Sequence, residues 1–172
     1  MAPALLAVLL AASAAQPAPG PPADPAERVR EETARDLVRL GRELRRQILN
    51  GDVAALAARV PADGLRCAGR VIPRARVQRD LATSGSWLHD TIFGASGAPT
   101  SRGGPPASLA ELLRGAADVA VAVSFLQDPR AAPVGRPCVE YRVKGVVTPA
   151  APLCFERREG RWWFTESLYP CG

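Results

Sequence analysis

A chain of 172 residues has the length of one folded domain, and with no stretch of 18 consecutive apolar residues it offers no membrane-spanning helix. Its 22 Lys and Arg against 17 Asp and Glu leave a formal net charge of +5, yet every cation but Lys144 is Arg in a chain rich in Ala, Gly and Pro, the residues of GC-rich codons. No basic run is interleaved with aromatics, and Glu31 with Arg35 and Glu43 with Arg46 stand at helical spacing, so the charge reads as a solvated face and argues against a nucleic-acid partner.

Residues 1–15 (MAPALLAVLLAASAA) carry an apolar run from Leu5 to Ala12 and then small residues fit for cleavage, at Ala12-Ser13-Ala14 or Ser13-Ala14-Ala15. That is the pattern of a secretory signal peptide, although its start has no Lys or Arg. No Cys follows the run, so the acylation site of a bacterial lipoprotein is missing. Export to the periplasm or the extracellular space is expected. Residues 16–23 (QPAPGPPA) form a Pro-rich spacer, extended and solvated. Residues 24–172 are then read as a single folded domain.

Asp24 can cap a helix whose first position is Pro25, with Glu27 three residues past the cap. Behind it Val29, Thr33, Leu37, Leu40, Leu44 and Ile48 recur at steps of four or three, which predicts a long helix with one apolar stripe. Asn50-Gly51 stops it, and Asp52 caps a second, short helix over Val53–Arg59 that Pro61 ends. Leu65–Ile72 is expected to be a strand carrying Cys67. Pro73 opens another helix with Val77 and Leu81 inward, and Ser84-Gly85 breaks it. Ser86 caps a further turn or two in which Trp87, Leu88, Thr91 and Ile92 share one side. Gly94–Pro106 reads as a surface loop without regular structure. Ser108 and Glu111 make a capping box before Leu112 and Leu113, and Gly115 ends that helix.

From Asp118 the apolar period falls from 3.6 to 2. Val119, Val121, Val123 and Phe125 lie on one face of a strand, and Val139, Tyr141 and Val143 on one face of the next. Leu153–Arg157 and, after Gly160, Arg161–Leu168 continue an antiparallel meander. Helices followed by such a sheet make an α+β fold: an N-terminal helical hairpin packed on a C-terminal curved antiparallel sheet of three to five strands.

Four cysteines remain beyond the leader: Cys67, Cys138, Cys154 and Cys171. Their spacings are far wider than the C-x₂-C pairs of zinc sites, and an even number in an exported chain points to two bridges and to no metal. Four cysteines allow three connectivities. Pairing the second and third strands of the meander about a turn near Val146 sets Cys138 against Cys154, which leaves Cys67 for Cys171. The same register would set Glu156 against Arg136 as a cross-strand ion pair.

Leu49–Leu56 (LNGDVAAL) resembles the n-G-D-x-x-x-L turn between the first helices of the NTF2-like and cystatin-like group of α+β cone folds. Leu153–Leu168 (LCFERREGRWWFTESL) is similar to the final hairpin of that group, an acidic-Gly turn before a Trp-bearing last strand. The resemblance implies a cone that, in many relatives, holds a small molecule. It carries over no catalytic residue.

The chemistry of the chain is sparse. No G-x-S-x-G elbow, P-loop, Rossmann fingerprint or H-E-x-x-H motif occurs, so no cofactor is expected. The single histidine, His89, precedes Asp90, but neighbours on a helix point about 100° apart, so an orienting acid would have to come from elsewhere, such as Glu140 or Glu166. His89 reads first as a partly exposed helix-surface residue, with Ser84 and Ser86 beside it serving a turn and a cap. Trp162 and Trp163 put one indole on each face of the last strand: one for the core, the other for a ligand platform or a cover over the outer disulfide. Tyr169 is open to the same two readings. His89, Trp162 and Trp163 are the candidate pocket residues. The expected function is a non-enzymatic exported module that binds a protein, an envelope polymer or a small apolar ligand. The alternatives are a small hydrolase or isomerase using His89, and a polyanion binder acting through its Arg-rich surface.

Overall fold

Pro25–Leu49 form helix α1, started by Asp24, whose Oδ1 accepts the Ala26 N–H at 2.9 Å. Its buried positions Leu37, Leu40, Leu44 and Ile48 are the C-terminal part of the expected stripe, and Gly41 is buried beside them. Helix α2 covers Val53–Ala57 under the Asp52 cap. It is two residues shorter than expected, because the Arg59 and Val60 N–H groups turn to the carbonyls of Leu56 and Ala57, three residues back. The computed structural model describes residues 24–67, 69–94, 108–128, 134–146, 151–165 and 168–169. The expected leader and spacer, the expected Gly94–Pro106 loop beyond Gly94, Glu166 and Cys171 lie outside the described residues.

Leu65–Ile72 is not one strand. It folds about a turn at Gly69 into a two-stranded hairpin, β1 (Leu65–Cys67) against β2 (Arg70–Ile72). Helices α3 (Arg74–Ala82), α4 (Trp87–Phe93) and α5 (Leu109–Gly115) follow, with Val77, Leu81, Leu88 and Ile92 buried as their spacing requires. Ser86 and Ser108 cap α4 and α5, accepting the N–H groups of His89 and Glu111 at 3.1 Å. Trp87 departs from the expected shared side: it is 52% exposed and stacks on Tyr169 at 6.4 Å between centroids.

The sheet is a four-stranded antiparallel meander, β3 (Ala120–Leu126), β4 (Arg136–Arg142), β5 (Leu153–Arg158) and β6 (Arg161–Phe164), in that spatial order. Glu159 and Gly160 join β5 to β6 with φ of 51° and 75°, the doubly positive turn that suits the twist of a hairpin. Cys138 and Cys154 are direct cross-strand partners and are bonded, S–S 2.01 Å. Cys67 is also disulfide-bonded; Cys171, its expected partner, lies outside the described residues. Beyond the cysteine pair the expected charge pairing gives way: Arg136 binds Asp128, and Glu156 binds Arg158 at 2.6 Å. Glu43 likewise bonds Arg59 (2.7 Å) and Gln47 (2.9 Å), where Arg46 was expected, because the chain after α2 brings Arg59 to it.

α1 packs on β3 and β4, and one apolar cluster joins helices and sheet. Gly41 is the contact point. A Cβ there would lie 2.5 Å from Val121 Cγ1 and 3.0 Å from Val139 Cγ1, so glycine lets the helix sit close on the strands. Into the gap the buried Tyr141 hydroxyl donates to the Gly41 carbonyl at 2.7 Å. No helix among the described residues is long and apolar enough to cross a membrane.

Candidate functional site

The alternation of β5 and β6 decides what faces α1. Phe155 pairs with Phe164 and both are buried; two residues on, Arg157 pairs with Trp162 on the same face, and between them Glu156 pairs with Trp163 on the opposite face. Trp162 therefore looks to the α1 side and Trp163 away from it. Trp163 lies under the Arg161 guanidinium, 4.8 Å from the ring centre, and its Nε1 donates to the Arg158 carbonyl.

Between this corner of the sheet and the first turns of α1 lies a pocket of about 400 Å³. Trp162, Phe155 and Phe164 contribute its aromatic wall, while Val29, Thr33 and Pro137 line it from the helix and β4. Val29 is 49% exposed although it continues the stripe that is buried from Leu37 onward. The pocket volume falls in the range that accommodates a drug-sized molecule.

Charged side chains line the pocket as well. Arg158 binds Asp63 at 3.1 Å and Glu156 at 2.6 Å, and Arg136 binds Asp128. Arg157 lies over the Trp162 ring, 5.7 Å from its centre, and is 3.7 Å from Asp36, an acid that Arg39 holds more closely at 2.8 Å. Arg66 is exposed and has no ion-pair partner among the described residues.

Of the three expected pocket residues, only Trp162 lines this cavity. His89 lines neither it nor a recess of about 100 Å³ beside Leu109 and Tyr141, nor an open groove lined by Arg45, Arg142 and Lys144. Its Nδ1 does stand 3.3 Å from Asp90 Oδ1, contrary to expectation for adjacent helical residues. The Gly85 N–H draws that carboxylate back over the helix start (3.0 Å), which brings it beside the imidazole. Phe93 flanks the ring at 5.3 Å. Glu140, weighed as its acid, is instead on the outward face of β4. There it accepts from Ser124 Oγ at 2.6 Å and from Arg142 at 2.6 and 2.9 Å, contacts led by the Ser124 bond that hold its pKa below the ordinary value against the effect of burial. Among the described residues no three His, Cys, Asp or Glu side chains gather as a metal site would require.

Tyr169 serves as a tether. Its hydroxyl donates to Asp80 Oδ2 at 2.8 Å, so its pKa is raised, first by burial and then by that acid. Val29, Thr33, Arg66 and Arg157 were missed as pocket residues. The available signal was the length of the α1 stripe, which runs two turns past the part that β3 and β4 bury. No protein-family model, curated protein or solved structure matches the chain.

Proposed function

We propose that this protein is an exported, disulfide-stabilised binding module, with a cone fold of the NTF2-like and cystatin-like group, that takes a small molecule between the first turns of α1 and strands β5 and β6. The carrying observation is the pocket of about 400 Å³ with Trp162 and the half-exposed Val29 in its wall. An apolar side chain left open beside an indole gains free energy when a ligand covers it. Export is supported by the leader pattern of residues 1–15 and by the Cys138–Cys154 bridge, since disulfides persist in oxidising compartments. His89 lies off the pocket, so catalysis forms no part of the proposal.

The test is a screen of small apolar molecules against the oxidised protein, read by thermal unfolding and tryptophan emission. A ligand at a hundred times its Kd should stabilise by about 2.7 kcal/mol. The chain has 3 Trp, so Trp162→Leu assigns the emission change. A binding signal that persists unaltered in Trp162→Leu would sink the reading, as would multiple turnover of any screened compound.

A second reading, surface binding of a polyanion, is favoured by the groove lined by Arg45, Arg142 and Lys144. It requires affinity for an anionic polymer that drops steeply with added salt.

A further inference from the structure

We propose that the ligand of the pocket is an amphipathic anion: a compact apolar body laid against Trp162 and Val29, with one acidic group taken by Arg157 and Arg66. This rests on reading the pocket as a ligand site. What it adds is the sign of the ligand.

The argument is the disposition of charge around one apolar cavity. Each acid that lines it is already bonded to a lining arginine, Asp63 and Glu156 to Arg158 and Asp128 to Arg136. No lining carboxylate is without a lining cation. Two lining guanidinium groups are differently placed. Arg66 has no acid among the described residues, and Arg157 has only Asp36, at 3.7 Å and shared with Arg39. A guanidinium offers a planar fork of donors that fits a carboxylate or sulfonate, and such charge-assisted bonds are the stronger kind. Arg157 is also held over the Trp162 ring. An anion bound to it therefore arrives with its apolar body beside the indole, and one molecule can satisfy both.

A neutral apolar ligand would use the aromatic wall and leave the cations to water. The two cases separate with a matched pair of fluorescent probes, anionic 8-anilinonaphthalene-1-sulfonate and uncharged N-phenyl-1-naphthylamine. Both are titrated into the oxidised protein at low and high salt. The sulfonate should bind about tenfold more tightly than the neutral dye, and the gap should narrow as salt screens it. Arg66→Gln with Arg157→Gln should abolish the preference, weakening the sulfonate about tenfold more than the neutral dye. Arg45→Gln, outside the pocket, should leave the preference intact, and Trp162→Leu should weaken both dyes. Equal affinity of the two dyes, or a preference that survives the double substitution, overturns the anionic ligand while the pocket stands. Failure of both dyes to bind in a Trp162-dependent way overturns the pocket and this inference together.

Discussion

One face of α1 runs the length of the helix, but its two halves meet different surroundings. From Leu37 to Ile48 the stripe is buried against β3, β4 and the later helices, and Gly41 lets the backbone come within reach of the Tyr141 hydroxyl. At Val29 and Thr33 the same face lines a pocket, with Trp162 in its wall and Arg157 beyond. The strands under the two halves differ in kind. β4 presents Val139 and Tyr141, which fill the space to the helix, whereas the β5–β6 hairpin presents Arg157 and Trp162, which leave it open. A continuous apolar stripe is thus no measure of a continuous core: the partner strand decides whether the stripe is covered.

The largest effect should come from truncation at the filled end. Leu44 is fully buried, and Leu44→Ala should cost about 3 kcal/mol through lost burial and the cavity left behind. Val29→Ala should change stability by less than about 0.5 kcal/mol and instead weaken whatever the pocket binds. Chemical denaturation of both variants, set beside probe titrations, checks this. Equal destabilisation by the two would erase the distinction between the halves.

Gly41→Ala sharpens the same point from the opposite direction. In an exposed helix the change would be worth up to about 1 kcal/mol of added stability. Here the new methyl group meets Val121 and Val139, and overpacking should reverse the sign, to a loss of about 2 kcal/mol. A gain in thermal midpoint would mean that α1 does not sit as close to the strands as Gly41 requires.

Local and periodic features were legible in the sequence. The Asp24, Asp52, Ser86 and Ser108 caps, the stripe of α1, the meander and the Cys138–Cys154 register each depend on residues a few positions apart or on a repeat of two. What escaped depends on residues far apart in the chain. Nothing near Gly41 announces Tyr141, one hundred positions away. The pocket joins Val29 to Trp162, and its partition into bonded and less bonded arginines follows from tertiary placement. The same cause moved Glu43 from Arg46 to Arg59. Leu65–Ile72 failed for a different reason: eight residues with an interior Gly can be one strand or two, and periodicity does not choose between them.

The smallest expected effect concerns the hydroxyl that closes the filled end. Tyr141→Phe keeps the ring and removes one buried hydrogen bond, leaving the Gly41 carbonyl without that donor, and should cost about 1 kcal/mol at pH 7. Its pH dependence distinguishes this loss from mere repacking. Burial raises the Tyr141 pKa above its ordinary value of 10.0, so the folded state prefers the neutral phenol. A group raised in the folded state contributes stability that is complete below its unfolded value. That contribution is lost as pH rises from there through the folded value. The protein should therefore weaken above pH 10, and Tyr141→Phe should weaken less, so that the gap between them closes with rising pH. Tyr169, also raised, titrates in the same window, and the chain has 2 Tyr, so both proteins are compared in a Tyr169→Phe background. A gap that stays constant from pH 7 to pH 11 would mean that the Tyr141 hydroxyl is not shut into the core, and that the filled end of α1 is more open than its packing implies.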